Sequence, residues 1–262
     1  MNLKIMFKIA GLFVASASLL PTTANAEGTF AFTSGVDYSS GKYGQSQSTD
    51  ITYIPFIGKY ETGNTTLKLT VPWVKITGPG DVVGGSSPIV LSSSNRPITT
   101  ESGLGDVVFS ATQTIAQLGE NNPLLLDMTG KVKFATASTS KGLGTGENDY
   151  TVELDAYKSI NKPVTLFGNI GYKKLGDPTG INLNNVWFGS TGFAYKFNPA
   201  TSAGMMADIR QATLNTSQPL RELTAFVTHK FNTTYKLQSY ITSGNTDAST
   251  DLGGGVMLGI SF

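Results

Sequence analysis

The chain has 262 residues, a formal charge of +1, no cysteine, 30 glycines, 10% aromatic residues and only 14% charged side chains. Near-neutral charge argues against a basic nucleic-acid-binding face, and the lack of cysteine excludes a disulfide scaffold. Abundant Gly, Ser and Thr with few charges favours strands and turns.

Residues 1–26 carry Lys4 and Lys8, an apolar run from Ile9 to Leu20, and Ala24-Asn25-Ala26. This is the pattern of a secretory signal peptide cleaved after Ala26, with an apolar run too short to span a bilayer as a helix. A single domain, 27–262, is expected to follow, with 17 basic and 18 acidic residues. Beyond residue 26 no apolar stretch approaches about 18 residues, so no transmembrane helix is expected.

Alternation with period two recurs through the rest of the chain. In 124–135, Leu124, Leu126, Met128, Val132 and Phe134 share one face, and Asp127, Thr129, Lys131 and Lys133 the other. The same logic in 149–157 and 164–173 leads to about twelve strands. The expected spans are 29–38, 49–58, 65–76, 104–116, 123–135, 149–158, 163–173, 185–197, 201–211, 220–231, 235–242 and 251–262. Their connections alternate in length. Short ones at 59–64, 117–122, 159–162, 198–200 and 232–234 separate longer ones that include 77–102, 137–148 and 174–184. Short turns at one end and long loops at the other describe a transmembrane antiparallel up-and-down β-barrel of the outer membrane of a Gram-negative bacterium.

Three features favour a lipid-facing barrel over a secreted soluble one. Twelve strands enclose more space than apolar side chains fill, since about eight already fit snugly. Aromatic residues gather near strand ends: Trp73, Tyr150, Tyr172 and Trp187 by the long loops, and Tyr195, Phe197, Phe231, Tyr235 and Phe262 by the short turns. Two such bands are membrane-interface girdles. Mid-strand charges fall on the opposite face, where a solvated lumen holds them. Slipping 123–135 by one residue would turn Lys131 and Lys133 to lipid, at about 2–4 kcal/mol for a lysine at the midplane. The last strand alternates Leu252, Val256, Leu258 and Ile260 with glycines and ends on Phe262. It is expected to face lipid and close on the first strand. Its terminal aromatic resembles the ending by which outer-membrane barrels are handed to their assembly machinery.

Parity places Asp127, Lys131, Lys133, Glu153, Asp155, Lys173, Asp208, Arg210 and Glu222 in the lumen, with Lys68, Lys230 and Lys236. It also turns Phe167, Phe188, Met206, Phe226 and Tyr240 inward. These charges either pair with one another to hold the wall together or set the selectivity of a pore. The aromatic groups either fill space or form a low-polarity path. Loop 77–102 contains Val82-Val83 and the segment 88–91 in an otherwise Ser/Gly-rich stretch. Its expected forms are a lid, an inward constriction or a mobile extracellular loop.

No catalytic constellation emerges. Hydrolase or protease chemistry needs a His beside a nucleophile or an activated water. The single His229 has Phe231 two residues on, and its parity points to lipid. Cys/His metal spacing is absent, the carboxylates of 143–149 read as a solvated turn, and no cofactor is implied.

At Gly103–Asp106, which opens a strand, at Leu143–Glu147 before an alternating strand, and at Gly168–Tyr172, the chain resembles a known group. It is similar to the MetA-pathway-of-phenol-degradation type of outer-membrane proteins, β-barrels often labelled simply transporters. Pro72 in the third strand fits that pattern, and the likeness runs from about residue 60 to the C-terminus. The resemblance implies an outer-membrane barrel linked to aromatic or other apolar compounds, and brings no catalytic residues. Two functional expectations stand. One is a channel for passive uptake of a small solute. The other is a structural or surface-binding barrel with a closed lumen and long loops that do the recognising.

Overall fold

The structure, a computed structural model, describes residues 28–262 except 81, 85–87, 91–96, 121 and 162. Of residues 1–27 it describes only the pairs Lys8–Ile9 and Leu12–Phe13, so the rest of the expected signal peptide, its cleavage site included, lies outside the described residues. Twelve antiparallel strands form the wall: β1 Thr29–Gly41, β2 Thr49–Thr62, β3 Thr65–Gly78, β4 Val107–Leu118, β5 Leu124–Phe134, β6 Asp149–Ser159, β7 Val164–Lys174, β8 Val186–Lys196, β9 Thr201–Arg210, β10 Leu220–Lys230, β11 Tyr235–Gly244 and β12 Leu252–Ser261. Each pairs with its neighbours in sequence, and β12 pairs back onto β1, from Leu252 opposite Ser40 to Ser261 opposite Ala31. Closure leaves no edge, which a chain in hydrocarbon requires because each unsatisfied backbone group costs several kcal/mol there. Among the described residues there is no helix.

The exterior and interior follow the alternation. Val152, Leu154, Ile170, Phe193, Ile209, Leu223, Val227, Ile241, Val256 and Leu258 are all exposed on the outer face. An apolar belt of that extent would be an aggregation surface in water; against lipid chains it is the matching solvent. At its outer rim Tyr172 and Trp187 lie with ring centroids 5.2 Å apart, and at its inner rim Tyr195 and Phe197 lie 4.9 Å apart.

Two irregularities shape the β2–β4 sector. Pro55 lies directly opposite Pro72 across β2 and β3. Neither ring supplies an N–H, and the two share a position where the ladder does without them. The fourth wall strand is also longer than its alternation suggested. An arm, Thr99–Leu104, pairs with β3 above β4, so the end of the expected loop 77–102 is strand. Between arm and β4 the register on β3 shifts by one, from Leu104 opposite Trp73 to Val108 opposite Thr70. This bulge re-aims the chain at Gly105 and Asp106. Gly105 donates its N–H to the Pro72 carbonyl at 2.9 Å, and a Cβ there would stand 2.8 Å from Val74 Cγ2. Glycine is therefore required by space. The β2–β3 turn is tighter than 59–64, because both strands continue to Thr62 and Thr65, leaving Gly63 (φ +53°) and Asn64.

Candidate functional site

The extracellular half of the lumen holds a cavity of about 310 Å³. Lys131, Lys133, Lys173, Phe188, Asp208, Arg210, Glu222 and Tyr240 line it. Phe167 and Phe226 lie in an apolar cluster with Leu125, Tyr157, Ala194, Met206, Tyr240 and Met257, which draws on eight consecutive strands, β5 to β12. Asp127, Glu153 and Asp155 are buried between β5 and β6, each at most 2% exposed, and do not reach the cavity surface.

The charges divide by sector. On the β4–β6 side, Lys131 pairs with Glu153 at 2.5 Å. Lys133 bridges Asp106 at 3.1 Å and Asp149 at 3.2 Å, and also donates to Thr145 at 3.2 Å. On the other side, Glu222 accepts the Thr250 N–H at 2.8 Å, and Asp37 accepts the Tyr240 hydroxyl. Asp208 and Glu222 face each other across β9 and β10. Neither Lys173 nor Asp208 makes an ion pair or side-chain hydrogen bond among the described residues, although both line the cavity.

Asp37, Asp106 and Asp149 were missed as lumen-lining groups. Asp149 was visible by parity, whereas Asp106 is aimed inward by a bulge that no alternation announces. Asp106 is also the meeting point of the two glycine motifs. Its Oδ1 accepts the N–H groups of Thr136 (3.1 Å) and Ala137 (3.0 Å). A Cβ on Gly144 would stand 2.9 Å from its carboxylate and 2.8 Å from Ala137 Cβ. Gly103–Asp106 and Leu143–Glu147 thus form one clamp at the lumen mouth, with Lys133 at its centre.

The inward aromatic groups share a second pattern. Phe167 lies directly opposite Gly192, Phe188 opposite Gly171, Phe226 opposite Gly204, and Tyr240 opposite Gly255. In each pair a Cβ on the glycine would stand 2.3–2.6 Å from the nearest atom of the aromatic side chain. Each ring therefore leans across the glycine of the adjoining strand and lies along the wall. Glycine here makes room for an aromatic group where any side chain would push it toward the barrel axis.

Over the cavity lies a short ribbon, Val82–Val83 paired with Ile89–Val90. Val82 packs with Tyr43, Ile51, Val74, Ile76, Ala137 and Leu143. Val83 and Ile89 pack on the other side with Leu175 and Leu183. Val82, Val83 and Ile89 are thus spent on two separate seats, and the ribbon takes the form of a lid. Tyr43 sits at φ +50°, a rare backbone state for a bulky side chain. Burial pushes its phenol up from the ordinary value, so it stays neutral beside Thr250, 3.4 Å away.

His229 points outward by strand parity. Its Nδ1 lies 2.9 Å from Thr201 Oγ1, and its ring stacks edge-on against Phe231 at 4.9 Å. Among the described residues no group of His, Cys, Asp and Glu has metal-binding geometry.

Neither a protein-family model nor a curated protein matches the chain. Solved structures do match in shape. The COG4313 outer membrane channel from Pseudomonas putida F1 superposes with a TM-score of 0.64 at 12% identity, covering 90% of this chain and 94% of that one. KdgM porin gives 0.53 at 8% identity, covering 88% and 99%, and NanC porin 0.52 at 11%, covering 88% and 98%. At such identities the likeness is one of fold. A closed twelve-strand barrel with an apolar outer belt, sharing the fold of outer-membrane channels, belongs in the outer membrane of a Gram-negative bacterium.

Proposed function

We propose that the chain is an outer-membrane channel through which small solutes, aromatic and other apolar compounds among them, cross passively. The observation that carries this reading is the set of aromatic–glycine pairs. Phe188 and Tyr240, laid along the wall of the cavity, offer a low-polarity surface to a solute that has passed the mouth, while Phe167 and Phe226 are buried in the apolar cluster. The charges of the cavity would then select at the entrance, and the lid would govern access. The resemblance to the MetA-pathway-of-phenol-degradation type of outer-membrane proteins supports the same solute class. No catalytic role is proposed.

A second reading keeps the lumen closed and gives the long loops a structural or surface-binding role. It is favoured by the tight burial of Met206 and Phe226, 1% and 2% exposed, and by the seated lid. Accumulation of labelled phenol and toluene, in intact Gram-negative cells with and without the protein, separates the two. Faster accumulation that falls in a Phe226→Trp variant supports the channel. Equal accumulation in both cell types leaves the closed barrel.

A further inference from the structure

Lys173 and Asp208 are opposite charges, both half-buried, both on the surface of one cavity, and neither paired among the described residues. Taking charges out of water without partners is costly, and the rest of the cavity avoids it. Lys131, Lys133, Glu222 and Asp37 all have a hydrogen-bonding or ionic partner in the protein. The two exceptions flank one ring. Lys173 pairs with Val186 and Asp208 with Ser190 on β8, and Phe188 stands midway between those positions. Phe188 leans on Gly171, and Arg210 lies opposite it on β9. Lys173 thus stands at one end and Asp208 with Glu222 at the other, and Arg210, two residues from Asp208 on β9, lies between them.

We infer that this cavity binds zwitterionic solutes whose ammonium and carboxylate are separated by an aromatic ring. The carboxylate goes to Lys173, the ammonium to Asp208 and Glu222, and the ring rests on Phe188. Lys173 and Asp208 are too far apart for a simple α-amino acid to meet both. Four residues along β8 and two strand spacings separate Lys173 from Asp208, about 13 Å along the strands and about 10 Å across them at the backbone. Even with both side chains reaching inward, the charged tips stand about a ring's length or more apart. Charges borne on a single carbon satisfy only one side. The inference deepens the channel reading by naming a solute class, and rests on it for access to the cavity.

The test is calorimetric titration of the full barrel in detergent with 4-(aminomethyl)benzoate, benzylamine and 4-methylbenzoate. The zwitterion is expected to bind at least about tenfold more tightly than either single-charge analogue. Lys173→Met and Asp208→Asn are each expected to remove that advantage, and Lys173→Arg to keep it. Heat-modified electrophoretic mobility identifies variants that have folded. Equal binding of the three compounds, no binding of any, or a folded Lys173→Met and Asp208→Asn pair that bind like the parent would each overturn the inference. Phenol accumulation in cells is read separately. If it fails while zwitterion binding persists, phenol and toluene fall as solutes of the channel and the zwitterion site stands.

Discussion

Asp106 Oδ2 lies 3.1 Å from Lys133 Nζ, while its Oδ1 holds the backbone N–H groups of Thr136 and Ala137. One carboxylate therefore ties the bulge after the arm to the start of the loop that follows β5, and fixes the lysine at the lumen mouth. Charge-assisted hydrogen bonds are worth about 1.5–3 kcal/mol each before the cost of orphaned donors. Asp106→Ala should lower the urea midpoint of the barrel in lipid vesicles by the equivalent of about 2–4 kcal/mol. Asp106→Asn, which keeps one acceptor, should cost about half of that. Equal, negligible effects would show that the clamp is incidental.

Gly171 and Phe188 form the most accessible of the aromatic–glycine pairs, because the atoms a Cβ would meet belong only to the ring. Gly171→Ala should push that ring off the wall into the cavity and reduce conductance. Adding Phe188→Ala should restore it, since the displaced ring is then gone. Conductance that ignores Gly171→Ala, or a double variant as impaired as the single, would contradict this geometry.

Asp127 and Asp155 are directly opposed across β5 and β6, and each is at most 2% exposed. Thr129 Oγ1 donates to Asp155 at 3.4 Å. Like charges directly opposed on a sheet are destabilising by about 0.2–1 kcal/mol. Asp127→Asn is therefore expected to leave the stability of the barrel unchanged or raise it by up to about 1 kcal/mol in the same urea titration. A large loss would mean that the charge on Asp127 is itself needed.

The lid depends on small apolar seats, so a charge placed in one should release it. Val82→Asp puts a carboxylate among Tyr43, Ile51, Val74 and Leu143. The released ribbon should become sensitive to proteolysis at Val82–Val83 and Ile89–Val90, with channel open time rising and barrel unfolding little changed. Protection equal to the parent's would show that the ribbon is held by something other than these contacts.

Most of the wall was legible because period-two alternation is a local property, and a lipid-facing row tolerates few exceptions. All twelve strands fall where the alternation puts them, including β2 despite Pro55. That proline is tolerated where the β1–β2 pairing is interrupted, between Ser34 opposite Phe56 and Asp37 opposite Tyr53, a fact of register between strands that no single segment carries. The arm Thr99–Leu104 was hidden for a related reason: its pairing with β3 is imposed by the neighbour, and its own residues alternate weakly. In the lumen, parity indicates which way a side chain points and nothing about depth. It could not separate the buried Glu153 and Asp155 from the cavity-lining Lys173 and Asp208. The glycine beneath each ring likewise emerges only when two strands are aligned. Val82, Val83 and Ile89 were noticed as apolar residues out of place, but their two seats are assembled from β2, β3 and three distant loops.

Single-channel recording of the refolded barrel in a planar bilayer, with and without phenol and toluene, tests the central claim most directly. The account predicts discrete, stable current steps that both solutes reduce, and a changed ion selectivity in Lys131→Glu, whose side chain lines the cavity. A correctly folded barrel that carries no current, in the parent and in Val82→Asp alike, would contradict it.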